Sequence, residues 1–233
     1  METKIISFAN LKGGVGKTTL TTIVANYMSH KGYNFIVVDC DDEQTSIATR
    51  REKEIQAEVI PKEHEKNMYE ILRVKSQDFV DFFNDNLDGH YDYVLVDIPG
   101  NIAQKGVKQT IVFYDYMFVP LGLSSFDTDS LEKFIAFYRD KVMPILKEYD
   151  KKVHIYGVVY RVNKQTRAYK QFYYQDRDHM PFPFLENVVP QAQVFADEAN
   201  TYVPYHELDN NKTRTVEFAE EIISIISNNV DHG

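Results

Sequence analysis

Apolar runs of strand length alternate along this chain with amphipathic stretches of helical period. Lys4–Ala9 is a short apolar run, and Thr18–His30 carries Leu20, Ile23, Val24, Tyr27 and Met28 at three-to-four spacing. Gly32 and Asn34 break that pattern, and Phe35–Val38 then reads as a buried strand ending at Asp39. Residues 46 to 66 are polar, with Arg50-Arg51-Glu52-Lys53-Glu54 forming a solvated helix face and Glu58–Pro61 a short edge strand that suits its proline. Two helical patterns follow, near Met68–Val74 and Gln77–Asn86. Tyr91–Ile98 predicts a strand through Asp97, Asn101–Val112 a helix, and Tyr116–Pro120 a further strand. Ser124–Lys147 reads as one long amphipathic helix that begins with cap residues and that Pro144 should kink or end. Strands are expected over Val153–Tyr160 and Leu185–Pro190, and a closing amphipathic helix over Thr213–Asn229. Such alternation predicts a three-layer α/β fold with a mostly parallel sheet flanked by helices, and 233 residues suffice for one such domain spanning 1–233.

Between the first strand and the first helix lies Asn10-Leu11-Lys12-Gly13-Gly14-Val15-Gly16-Lys17-Thr18-Thr19. Strand, glycine-rich loop and helix form the context of a phosphate-binding loop. Backbone N–H groups from Gly13 to Thr18 can curl around a phosphate because glycine lacks a Cβ and tolerates positive φ, and the helix dipole faces the anion. In such a loop Lys17 supplies charge to the β- and γ-phosphates and the Thr18 hydroxyl is placed for Mg²⁺. Downstream, Asp39-Cys40-Asp41 follows the second strand and Asp97-Ile98-Pro99-Gly100 ends the fourth apolar run. Carboxylates at the C-terminal ends of parallel strands sit where ligands bind in open α/β sheets.

The loop begins with Leu11 where the general pattern has glycine, and it carries the extra lysine Lys12. In this Lys-Gly-Gly-x-Gly-Lys-Thr-Thr form the sequence resembles the deviant P-loop ATPases of the ParA/MinD family, most closely the short ParA type of a plasmid or conjugative element. The resemblance implies a P-loop NTPase fold and slow, Mg²⁺-dependent ATP hydrolysis coupled to formation of a homodimer. It implies ATP held by Gly13, Gly14, Val15, Gly16, Lys17, Thr18 and Thr19, with Mg²⁺ organised by Thr18, Asp39 and Asp97. Asp41 would orient the attacking water, and Lys12 would reach the phosphates of the other subunit. The Pro99-Gly100 turn resembles the family's γ-phosphate sensor. Asn163 is the nearest candidate to read the adenine edge, with Arg161 standing where a simple alignment would put that residue, and Val189-Pro190-Gln191 resembles the segment over the adenine ring. Here the family usually has proline and glutamine directly after Asp-x-Asp, whereas this chain has Asp42-Glu43 and a late Gln44.

Composition narrows the partners. The lone cysteine, Cys40, excludes an intramolecular disulfide and the family branches that share an iron–sulfur cluster through paired cysteines, and a cytoplasmic protein is expected. A net charge of −9 argues against a surface that is basic all over. Basic and aromatic residues interleave between Lys164 and Asp178, where Arg167, Lys170 and Tyr174 share a helical face; a surface helix whose aromatics pack on the core is the favoured reading, and contact with non-specific DNA the alternative. Glu217, Glu220 and Glu221 on the closing helix argue against membrane targeting. Partition of a plasmid, conjugative element or chromosome, with a ParB-like activating partner, is the expected role. The alternatives are a positioning ATPase that binds a protein cargo instead of DNA, and a small-molecule ligase of related fold.

Overall fold

The computed structural model describes residues 2–41, 46–100, 106–123, 125–193, 195, 199–204, 207 and 213–228. Its strands are β1 (Lys4–Phe8), β2 (Phe35–Asp39), β3 (Ile71–Arg73), β4 (Tyr93–Asp97), β5 (Tyr116–Leu121), β6 (His154–Val162) and β7 (Val189–Pro190). They form a seven-stranded sheet in the order β3-β2-β4-β1-β5-β6-β7, and every pairing is parallel. Parallel strands must bury both faces, which is why Phe35-Ile36-Val37-Val38 and Val94-Leu95-Val96 are continuously apolar rather than alternating.

Helices cover the two faces. On one side, α1 (Lys17–His30) and the closing helix, called α9 here (Thr215–Asn228), pack Leu20, Ile23, Val24, Phe218 and Ile222 against Ile6 and Phe8 of β1. The rings of Phe8 and Phe118 stand 5.5 Å apart in that layer. On the other side, Phe79 and Phe83 of α4 (Phe79–Asn86), Val107 of α5 (Val107–Ile111), and Leu131 and Phe134 of α6 (Ser125–Phe137) meet Ile36, Val94 and Val119 of the sheet. Two shorter helices, α2 (Ile47–Gln56) and α3 (Lys62–Glu65), lie between β2 and β3.

Several local expectations are overturned. The edge strand is Ile71–Arg73, inside the segment read as helical, and not Glu58–Pro61. Glu58 instead adopts a left-handed turn (φ 53°) before α3, and a three-residue strand is too short for its period to show. The face Arg50–Glu54 is not wholly solvated. Arg51 and Glu54 are buried, because loop 200–203 covers them. Arg51 donates to the Thr201 hydroxyl at 2.5 Å, the Thr201 carbonyl at 2.6 Å and the Tyr69 carbonyl at 3.0 Å, while Glu54 accepts from the Thr201 N–H. The last strand shrinks to Val189–Pro190, with only a single bridge from Phe184 to Gly157 before it.

The long helix is interrupted as its proline required. After α6 comes a π-helical turn over Tyr138–Val142, where the Met143 N–H bonds the Tyr138 carbonyl five residues back, and α7 (Met143–Glu148) follows. Pro144 has no N–H to offer and its ring crowds the preceding turn, so the widened turn takes up the strain. The expected Ser124 cap, the Asn101 start of α5 and the Asp42-Glu43-Gln44 departure lie outside the described residues.

Removing Arg51 leaves two buried backbone acceptors unpaired and takes away the positive charge beside the buried Glu54 carboxylate. Arg51→Ala is expected to cost about 3 kcal/mol of stability, read as a lowered urea midpoint. Adding Glu54→Ala should cost less than the sum of the single changes.

Candidate active site

The loop between β1 and α1 is shaped by glycines at the positions that need them. Gly14 (φ 73°) and Gly16 (φ 96°) are left-handed, and Gly16 caps α1 with no side chain in the way. Neighbouring elements pin the loop in place. Asn10, almost fully buried, donates to the Pro120 carbonyl of β5 at 2.8 Å and accepts the Lys12 N–H at 3.1 Å. The Lys17 ammonium is buried and donates to the Lys12 carbonyl at 3.4 Å. A Cβ on Gly100 would stand 2.9 Å from the Gly13 Cα, so the turn after β4 lies directly on the loop. From β6, the Tyr160 ring occupies the space beside Gly16, where a Cβ would meet it at 2.0 Å.

Two carboxylates end adjacent strands. Asp39 and Asp97 are register partners across β2 and β4, and the Cys40 N–H bonds the Asp97 carbonyl at 2.8 Å. Asp39 is spoken for on both oxygens, by the Asp41 N–H at 3.1 Å and by the Ala48 N–H in the first turn of α2 at 2.8 Å. Asp97 is fully buried, and no donor completes a hydrogen bond to either oxygen among the described residues. Burial and then the Asp39 carboxylate push its pKa up to about 8, against the pull of the Thr18 hydroxyl and the Lys17 ammonium nearby.

A cleft of about 550 Å³ opens over these groups, lined by Gly13, Gly14, Gly16, Lys17, Thr18 and Thr19 together with Asp41, Arg50, Gly100 and Arg161. Lys12 is exposed and lines a second cleft of about 380 Å³ beside it with Val15, Arg161 and Asn163. Asn163 and Pro190 share a third cleft, of about 370 Å³, with Gln191. The Asn163 carboxamide oxygen accepts the Gln165 N–H at 2.9 Å, so its amino group is the part that can face a base. The sequence-predicted loop residues, Asp41, Asn163 and Pro190 therefore line three adjoining hollows, while Asp39 and Asp97 are buried at the ends of β2 and β4 and line none of them. Sequence reasoning gave no role to Asn10, and it placed Arg50 on a solvated face. The periodicity of α2 alone could not show that Arg50 borders the loop's cleft.

Magnesium fits this arrangement. Mg²⁺ is characteristically held by one or two carboxylates plus substrate phosphates, without an all-protein cage. Among the described residues no cluster of three metal-ligating side chains exists. A buried carboxylate with two unpartnered oxygens beside a threonine hydroxyl and a phosphate loop is the donor set such an ion takes.

Residues 3–86 match a family model described as an AAA domain. A protein of Methanocaldococcus jannaschii described as uncharacterized, MJECL24, is 22% identical over 96% of this chain and 98% of its own length. Among solved structures, the ATP complex of a point variant of Cyanothece McdA superposes with a TM-score of 0.66 at 15% identity, covering 95% of this chain and 96% of that one. Aquifex aeolicus MinD, a cell division protein, gives 0.62 at 17% (96% and 97%). A plasmid partition protein from Borrelia burgdorferi gives 0.61 at 19% (99% and 100%). The fold is that of the ParA/MinD-type P-loop ATPases. That shared architecture accords with the resemblance carried by Lys12–Thr19. Cobyrinic acid a,c-diamide synthase of Mycobacterium smegmatis, solved with an ATP analogue and magnesium, shares the architecture at a TM-score of 0.64 and 16% identity (95% of each chain).

The buried aspartate gives a stability signature. In the unfolded chain Asp97 titrates near 3.8, whereas in the folded, metal-free protein it holds its proton up to about 8. The folded state binds the extra proton across that window, so stability should fall as pH rises from about 4 to about 8 and level off above it. Asp97→Asn should flatten the slope and leave the metal-free protein more stable than wild type at pH 8, measured by thermal melts across pH.

Proposed function

We propose that this chain is a Mg²⁺-dependent ATPase that dimerises in its ATP state and acts in partition of a plasmid, conjugative element or chromosome. The observation that carries the reading is Asp97, buried beside Asp39 and under the phosphate loop with neither oxygen partnered among the described residues. The loop N–H groups and Lys17 would cradle the triphosphate. Thr18 and Asp97 would hold Mg²⁺ directly or through water, with Asp39 supporting that shell. Mg²⁺, when bound, supplies positive charge to the β- and γ-phosphates. Asp41, at the mouth of the cleft, would orient a water for in-line attack. Gly100, seated against Gly13, would sense the γ-phosphate.

Lys12 supports a role in the dimer. Its backbone carbonyl is held by Lys17 within its own loop, while its exposed side chain lines a different cleft from Lys17, Thr18 and Asp41. A lysine so placed can serve the phosphates of a second copy and neutralise charge developing there. Asn163 and Pro190, in their shared hollow, are the proposed adenine contacts. For the helix after β6, α8 (Arg167–Gln171), the observation in favour of DNA is a shallow groove lined by Arg167, Lys170 and Tyr174. The net charge of −9 favours a second reading, a positioning ATPase whose partner is a protein cargo. An activating partner of the ParB kind belongs to the first reading.

The readings separate in solution. With ATP–Mg²⁺ the Asp41→Ala protein should sediment as a dimer, whereas without nucleotide it should be a monomer. Lys12→Ala should lose most of the hydrolysis rate, by roughly a hundredfold or more, and an unchanged rate removes Lys12 from the mechanism. Fluorescence anisotropy of a labelled non-specific duplex, titrated with Asp41→Ala protein at low salt, should show binding only with ATP–Mg²⁺, weakening steeply as salt rises. An ATP-dependent dimer that ignores DNA would transfer the function to a protein cargo.

A further inference from the structure

Arg161 stands out because its backbone is held in a conformation that disfavours it. It has φ 56°, in the left-handed region where a side chain crowds its own carbonyl, and it sits in the middle of a register shift between β6 and β7. Tyr160 pairs with Val189 and Val162 with Pro190, so Arg161 is the extra residue of a bulge. In a regular strand, residues 160 and 161 would point to opposite faces. The bulge turns Arg161 back, so that its guanidinium lies 5.1 Å from the centroid of the Tyr160 ring. Tyr160 in turn is buried against Gly16, with its hydroxyl unpartnered among the described residues.

This stack delivers a cation to the phosphate loop. Arg161 lines the cleft that contains Gly14, Gly16, Lys17, Asp41 and Gly100, and it also borders the cleft containing Lys12 and Asn163. It forms no ion pair among the described residues, although Asp41 lines the same cleft. A guanidinium is a planar fork suited to two phosphate oxygens at once.

We propose that Arg161 binds the nucleotide's phosphates in cis, from β6, as a phosphate clamp that the Tyr160–Gly16 contact positions over the loop. The inference rests on the reading of the cleft as a nucleotide site. It assigns this residue to phosphate and not to the base on the ground that Arg161 lines the cleft of Lys17 and Thr18 and is absent from the one shared by Asn163 and Pro190. Backbone strain at the bulge is then retained because only a displaced residue aims its side chain at the loop.

The strain makes the test discriminating. Glycine relaxes a left-handed backbone, so Arg161→Gly should melt no lower than wild type while binding ATP–Mg²⁺ roughly ten- to a hundredfold more weakly, as expected for a lost charged hydrogen-bond pair. Arg161→Ala should lose the same affinity, and Arg161→Lys should fall between. GTP, measured by competition, should weaken by the same factor as ATP in each variant, because the contact is to phosphate. Unchanged ATP affinity in both the Gly and Ala variants overturns the proposal. So does a changed preference between ATP and GTP, which would return the residue to the base, or a large drop in the melting temperature of Arg161→Gly with affinity intact. Wild-type protein that binds neither nucleotide defeats the cleft reading itself, and this inference with it.

Discussion

Two carboxylates facing each other at the ends of β2 and β4 set the terms for everything around them. Parallel strands in register bring Asp39 and Asp97 together, and a sheet covered on both faces denies Asp97 any water. Among the described residues Asp39 finds backbone donors, from its own loop and from α2, and Asp97 does not. The arrangement is therefore electrostatically incomplete, and its deficit faces the loop where a phosphate-bound cation would sit. Stability is given up at this point of the core, as at many sites whose chemistry needs a poised charge.

Around that deficit the loop is held in place by contacts from its neighbours. Asn10 ties its start to β5, the Lys17 ammonium crosses back to the Lys12 carbonyl, Gly100 rests on Gly13, and Tyr160 closes on Gly16. Three of these contacts come from different strand ends. The sheet order, with β1 between β4 and β5, is what lets them converge.

Much of this was written in short-range patterns. Lys12–Thr19 announced itself because a glycine-rich turn between an apolar run and an amphipathic helix has few other uses, and the strands ending in Asp39 and Asp97 were legible from their continuous apolarity. What escaped was long-range or too short for a period. Arg51 and Glu54 look solvated on α2 until loop 200–203, far along the chain, covers them. Ile71–Arg73 is a strand only because β2 lies next to it. The turn of Arg161 back over Tyr160 depends on a register shift against Val189 and Pro190, which no local spacing can reveal.

The π-helical turn between α6 and α7 carries a further implication, about chain length. In an α-helix each residue rotates the next by about 100°, so gaining or losing one residue turns every later side chain away from its contacts. Leu131 and Phe134 before the turn and Leu146 after it all face the core, although a five-residue hydrogen bond separates them. Across Tyr138–Val142 the chain has already absorbed one surplus position while keeping both buried stripes aligned. Trimming a single residue there would restore ordinary pitch up to Pro144. It is the point in this long element where losing one residue is least disruptive to what lies before it.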